Sequence, residues 1–413
     1  MRWLKSLDKD AARVVTGRPG SGKSAVLGRL ITLADPAWHD EALVADPELD
    51  PATVPPKESI HQRVYARGKT TEHVLAAIAE AAEVELHAEG LELCVAELQQ
   101  ALRVRARPVV VVIDALEEAL APEELARTLR PLATSGPDGG IRLLLGTWRH
   151  LVPLLGVEQT AVLDLDDPKY MEPADLIQYT SRLLLSSGDP ESRTPYQEDP
   201  ELADEVARAV AEKAGTSFLI AQLVAHALSA HSTAVDRSPG WQERFPTTVD
   251  DAMDKYLARF GPERTRVCDL LAPLAYAQGA GLSDEDVWAD LAGELGTSRY
   301  TAQDVRALLR DSAAVDLLQR TRLDGAVAYR LFHDALAEYL RRRTLVDLAD
   351  RDVHQHYTTI LRDHVPLPTA ATGDNSRDWL HADFYTRIHL ATHAAASGQL
   401  DHLLTDPGFL ARR

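Results

Sequence analysis

The spacing of apolar positions divides the chain into two parts. Up to about residue 167, short solid apolar runs alternate with stretches of helical period, and beyond it helical periods dominate. The runs at 12–16, 108–114, 141–146 and 161–165 predict strands, and alternation of apolar and polar residues over 60–67 predicts another. Residues 108–114, Pro-Val-Val-Val-Val-Ile-Asp, are apolar on both faces, as the central strand of a parallel sheet must be. Helical spacing predicts helices over 25–31, 71–85, 91–105 and 122–132, the last with its proline near the start. A polar, proline-rich stretch at 46–57 interrupts the order. Strands with intervening helices predict a doubly wound α/β domain.

In the second part, 173–185, 201–214 and 218–230 predict a small helical bundle, followed by a Pro/Gly/Trp linker at 238–246. Helices over 249–260, 263–277, 284–295 and 302–312 precede two strand-like pieces, 314–318 and 327–332, joined by the turn Leu323-Asp324-Gly325. Three helices followed by a β-hairpin is the order of a winged helix. Residues 347–410 read as helical hairpins. The expected domains are 1–168, 169–240, 241–346 and 347–413.

Between the first strand and the first helix stands Gly17-Arg18-Pro19-Gly20-Ser21-Gly22-Lys23-Ser24, with Ala25 next. This is a complete phosphate-binding loop in the strand–loop–helix setting that such a loop requires. Its glycines let backbone N–H groups and the helix N-terminus face an anion. Lys23 is expected to reach the β- and γ-phosphates and Ser24 to ligate Mg²⁺. The expected fold is thus α/β, a doubly wound parallel-sheet P-loop NTPase of the five-stranded ASCE type. A small helical domain, a winged helix and helical hairpins follow it.

The strongest strand runs straight into Asp114-Ala115-Leu116-Glu117-Glu118. Asp114 at its C-terminal edge is placed for the Mg²⁺ shell, and Glu117 or Glu118 for orienting and deprotonating a water. The alternative is that the two glutamates only begin a helix. At the end of the next strand, Arg149 is placed to approach a γ-phosphate, whereas the neighbouring His150 has no evident partner.

Asp and Glu outnumber Lys and Arg 63 to 44, giving a formal net charge of −19. That balance argues against non-specific binding to nucleic acid or to anionic membranes. No apolar run reaches the ~18 residues of a membrane span, and the N-terminus has no apolar signal core. The two cysteines, Cys94 and Cys268, form neither a metal motif nor a disulfide framework, which fits a reducing cytoplasm. Both ends look abrupt, so a piece of a longer protein is expected.

On these motifs the chain resembles, over nearly its whole length, the NACHT branch of the STAND ATPases, signal-transducing P-loop NTPases of many domains. Residues 114–118 are similar to that family's Asp-small-hydrophobic-acid-Glu signature, with Glu117 where Asp is commoner. Thr147-Trp148-Arg149 stands where the family carries a sensor arginine. Gly215-Thr216-Ser217-Phe218-Leu219 resembles the segment whose proline packs on the adenine, with Ser217 in the proline's place. Residues 246–250 resemble the entry into the winged helix. Residues 331–340 place His333 where the family's histidine contacts the β-phosphate of ADP and holds the protein closed. Residues 389–410 resemble the segment that precedes sensor repeats in bacterial relatives.

The resemblance implies ATP or ADP with Mg²⁺ as cofactors and a slow ATPase acting as a switch. It implies closure by ADP, opening on ATP exchange, self-association and activation of an effector, in bacterial antiphage defence or programmed cell death. An N-terminal effector and a C-terminal sensor would lie outside this sequence, and the trigger is not specified. Two other readings stay open. One is a STAND transcription regulator, for which the helix at 302–311 offers Arg306 and Arg310 against Asp304 and Asp311. The other is a nucleotide-binding scaffold without turnover. A small-molecule kinase fits less well, because no acceptor-binding lid is evident.

Overall fold

Among the residues described by the computed structural model (3–4, 10–45, 49–186, 193–311, 313–323, 326–344, 348–367, 377–405 and 407–410), the first sheet carries the candidate site. Its strands are β1 (Ala12–Thr16), β2 (Gln62–Tyr65), β3 (Val109–Asp114), β4 (Ile141–Gly146) and β5 (Val162–Asp164). All pair in parallel, in the order β2-β3-β4-β1-β5. The connections hold α1 (Lys23–Ala34), α2 (Pro36–Ala45), α3 (Thr71–Ala81), α4 (Leu91–Arg103), α5 (Pro122–Ala133) and α6 (Val152–Leu155).

The unbroken apolar run of β3 follows from two-sided burial. Val109, Val111 and Ile113 join Val74, Ile78, Leu98 and Leu125 on one side of the sheet. Val110 and Val112 join Val15, Leu27 and Leu144 on the other. A strand whose successive side chains alternate faces must be apolar throughout when both faces are covered. This register brings the C-terminal ends of β1, β3, β4 and β5 to one edge of the sheet.

Two local differences have clear causes. The helix expected over 71–85 ends at Ala81 because Glu83 takes φ +55°, which cannot continue a right-handed helix. The unanticipated α2 starts at Pro36, after Asp35, whose carboxylate accepts the N–H of Ala37 at 2.9 Å. That is the Asp-cap and proline-N1 signature, but Trp38 and Val44 are exposed, so the helix presents no apolar stripe to read.

Helices α7 (Pro173–Leu185) and α8 (Pro200–Ala214) pack through Leu176, Thr180 and Leu184 against the Ala203, Val206 and Val210 face, and α9 (Phe218–Ser229) follows. The chain divides into two units, Met1–Gln222 and Leu223–Arg413, with the boundary inside α9.

The second unit contains α10 (Val249–Ala258), α11 (Arg264–Tyr276), α12 (Glu285–Leu295) and α13 (Ala302–Asp311). Then come β6 (Leu318–Leu323) and β7 (Ala326–Leu331), an antiparallel pair in register from Leu318–Leu331 to Leu323–Ala326. Leu282, between α11 and α12, adds a bridge to Tyr329. The piece expected as a strand at 314–318 is instead a 3₁₀ turn, Ala313–Leu317, and the strand starts at its end. Its buried residues, Ala314 and Leu317, are three apart, the period of that turn rather than of a strand. Asp324 and Gly325 of the expected turn lie outside the described residues. The chain continues through α14 (Asp334–Thr344), α15 (Asp350–Asp363), α16 (Phe384–Ser397), α17 (Leu400–Leu404) and α18 (Pro407–Leu410). Helices α15 and α16 pack together, with His393 stacked on Tyr357 at 4.2 Å between ring centres. Among the described residues, no helix is long and apolar enough to cross a membrane.

Candidate phosphate-binding site

Gly17 to Gly22 form the bend between β1 and α1. Gly22 is the N-cap of α1 at φ +93°, and among the described residues no side chain caps that helix. Its first-turn amides therefore remain a donor set for an anion. Gly20, at φ +80°, is pressed from outside: a Cβ there would lie 2.7 Å from Leu219 Cβ and 3.0 Å from Ser217 Oγ. The Ser217 hydroxyl in turn accepts the N–H of Ile220 at 3.2 Å, capping α9. Ser217 thus adjoins the loop, on the segment where the sequence placed it. Arg18, Pro19, Ser24 and Ala25 are exposed, while Ser21 is buried with an Oγ that has no hydrogen-bond partner among the described residues. Lys23 is buried and donates to the carbonyls of Gly17 and Arg18 at 3.1 and 3.2 Å.

The acidic turn after β3 is shaped by Ala115, which adopts the left-handed region at φ +57°. A β-branched residue would be strained there, so a small residue is required. Leu116 to Glu118 then form a single 3₁₀ turn anchored by buried Leu116. Asp114 Oδ1 accepts the N–H of Ala115 at 2.8 Å and lies against Gly146 of β4. Glu117 has a buried Oε2 with no hydrogen-bond partner among the described residues, and burial pushes its carboxyl up to about 7. Glu118 is held by the end of β2 and the loop after it: the Tyr65 hydroxyl donates to it at 3.1 Å and Arg67 Nε lies 3.4 Å away. Burial lowers the Lys23 pKa, opposed by the charges of Glu117, Asp114, Asp166 and Glu118.

The edge therefore gathers the loop, Asp114 and both glutamates around Lys23. This is a site with donors for an anion, a carboxylate at the strand end and a buried acid able to take up a proton near neutral pH. Arg149 is engaged by carboxylates of the same edge. Its guanidinium forms a two-pronged pair with Asp164, Nε at 2.7 Å and Nη2 at 2.8 Å, and Nη2 also donates to Asp166 at 2.6 Å. The cause is topological, because β1 lies between β4 and β5 and Arg149 spans its end to reach the carboxylates that follow β5. Bonding to Arg149 holds the Asp164 carboxyl below its ordinary value.

Asp166, Tyr65, Arg67 and Thr216 were not singled out by the sequence. The acidic run at 164–167 was a visible signal, and the strand order would have placed it beside the loop. His333 lies in the second unit, half-buried, where its Nδ1 accepts the N–H of Ala335 at 3.0 Å at the start of α14. That bond places the proton of the neutral ring on Nε2.

Residues 8–155 match the family described as "AAA domain". This stretch holds the phosphate loop and the acidic turn and has the P-loop NTPase fold. No curated protein matches the chain. Among solved structures, the chain is similar to Cdc6p from Pyrobaculum aerophilum, at 15% identity over 84% of this chain and 94% of that one, with a TM-score of 0.30. It is similar to the Orc1 protein of Aeropyrum pernix in complex with DNA, at 16% identity over 84% and 91%, TM-score 0.33. Drosophila ORC bound to DNA is similar at 14% identity over 83% and 92%, TM-score 0.32.

Proposed function

We propose that this protein is an ATP/ADP switch of the NACHT-type STAND class, with slow Mg²⁺-dependent ATP hydrolysis resetting it. The observation that carries the reading is Lys23, buried at the mouth of a glycine-bent loop and facing Asp114, Glu117 and Glu118. In this reading the amides of Gly20 to Ala25 and the Lys23 ammonium hold the phosphates. Ser24 and Asp114 supply the protein oxygens for Mg²⁺, which would neutralise phosphate charge. Among the described residues there is no cluster of three or more His, Cys, Asp or Glu able to hold a metal. The remaining ligands would accordingly come from water and phosphate.

Glu117 and Glu118 divide the acid–base work. Glu118, fixed by Tyr65 and Arg67, is oriented to position a water. Glu117, with its raised pKa and an oxygen unpartnered among the described residues, is suited to accept a proton. Ser217 takes the place of the proline that packs on the adenine in the family. The second unit holds helices and a hairpin in winged-helix order, and Leu282 adds a single bridge to that hairpin. His333, at the end of that unit's hairpin, would donate to the β-phosphate and favour the closed state. A ligand shifts such an equilibrium only by its differential contacts with the two states, so deleting one ADP contact favours opening. Opening would permit self-association and effector activation, the role the resemblance assigns to bacterial defence.

The transcription-regulator reading draws less support. On α13, Arg306 is paired with Glu285 at 2.5 Å and Asp304 with Arg266 at 3.0 Å, so these charges serve the fold. The test is exchange of labelled ADP together with the size of the protein in solution. The proposal expects His333→Ala to speed exchange and raise self-association; unchanged exchange and size would contradict the switch.

A further inference from the structure

Asp166 is a buried carboxylate at the sheet edge that accepts three hydrogen bonds. Its side chain is only 4% exposed, while Arg149, which it binds, is 48% exposed. Oδ2 accepts the backbone N–H of Arg18 at 2.8 Å and Arg149 Nη2 at 2.6 Å. Oδ1 accepts the Thr216 hydroxyl at 3.2 Å. The three donors come from three separate pieces of chain: the loop after β1, the turn after β4, and the turn between α8 and α9. Its backbone N–H donates to Asp164 Oδ1 at 3.1 Å, so the two carboxylates that hold Arg149 are locked to one another.

We propose that Asp166 is a positioning residue that sets the preference between nucleoside di- and triphosphate, by restraining the Arg149 guanidinium and the Arg18 amide together. This rests on the reading of the loop as a nucleotide site. Arg149 is the cation at the end of β4, and a γ-phosphate competes for it with Asp164 and Asp166. Two charge-assisted bonds to Asp164 and one to Asp166 oppose that transfer. The diphosphate makes no claim on Arg149, so the restraint acts on the triphosphate alone. Because Oδ2 shares its lone pairs between Arg149 and the loop amide, movement of Arg149 alters the acceptor that holds Arg18. Through Oδ1 the same carboxylate reaches Thr216, next to Ser217 on the segment pressed against Gly20. Asp166 thereby couples the number of phosphates to the α8–α9 turn.

The test uses the full chain with Mg²⁺ and fluorescent ADP and ATP, and reads the ratio of the two affinities. Asp166→Asn and Asp164→Asn should each shift that ratio toward ATP by about three- to tenfold. Asp164→Asn keeps the buried Asp166 carboxylate and its bond to Arg18, so it carries the test if Asp166→Asn does not fold. In an Arg149→Ala background, neither substitution should move the ratio. An unchanged ratio in Asp164→Asn overturns the inference. So does an equal shift with and without Arg149, because that would reflect only the removal of negative charge. Absence of binding of either nucleotide by the wild type overturns the nucleotide reading itself, and this inference with it.

Discussion

Gly20 and Leu219 meet so closely that a Cβ on the glycine would lie 2.7 Å from the Cβ of Leu219. The tip of the phosphate loop is thus shaped against the first turn of α9 within the first unit. Gly20→Ala adds both this clash and a left-handed residue at φ +80°. The expected cost is about 1–3 kcal/mol of stability. Nucleotide affinity should fall as the loop or the Ser217 turn shifts. Thermal unfolding and nucleotide titration check this; an unchanged affinity would mean that the segment is not part of the site.

The two glutamates after β3 are predicted to fail differently. Glu118→Gln keeps an acceptor for Tyr65 but loses the charge beside Arg67, and phosphate release should fall by about 10²-fold with nucleotide binding retained. Glu117→Gln removes a buried acid whose carboxyl is pushed up by burial, so it should slow turnover while raising stability near pH 8. Single-turnover phosphate release separates the two. Equal rates for wild type and both variants would leave a nucleotide-binding scaffold as the account of this site.

Glu117 and His393 are predicted to contribute to the pH dependence of stability with opposite signs. Glu117 rises from 4.5 to about 7 on folding, so the folded state binds more protons between those values. Its contribution is complete below pH 4.5 and is lost as pH rises through 7, to a limit of about 3 kcal/mol. His393, enclosed with His354, Tyr357 and Tyr385, is pushed well below its ordinary 6.5 by burial, with His354 and His389 adding to the effect. Its folded form binds fewer protons, so its contribution is present above 6.5 and lost as pH falls. In protein stripped of nucleotide and divalent cations, Glu117→Gln should gain stability relative to wild type at pH 8 but not at pH 4.5. His393→Gln should flatten the loss of stability between pH 6.5 and 5. Melting curves of both variants across this range check the signs, and a pH-independent difference from wild type would contradict them.

The sheet was legible because its cause is local. Val109 to Ile113 must be apolar to be buried on both sides, and the loop from Gly17 to Ser24 must be glycine-rich to bend at φ values such as +80° and +93°. What the sequence did not reveal depends on strand order. Asp166 meets Arg18 and Arg149 only because β1 lies between β4 and β5, and Tyr65 meets Glu118 only because β2 pairs with β3. Such partners have no fixed spacing along the chain. The arginine at 149 was found from its place at a strand end, but its engagement by two carboxylates was a property of the assembled edge.

The central claim is that the loop at Gly17–Ser24 binds a nucleotide through Lys23. Calorimetric titration of wild type and Lys23→Ala with ADP and ATP in Mg²⁺ tests it directly. The wild type is expected to bind one nucleotide per chain, and Lys23→Ala to bind at least about tenfold more weakly, the effect of a lost charged hydrogen bond. Binding of equal strength by both proteins, or no binding by the wild type, would contradict it.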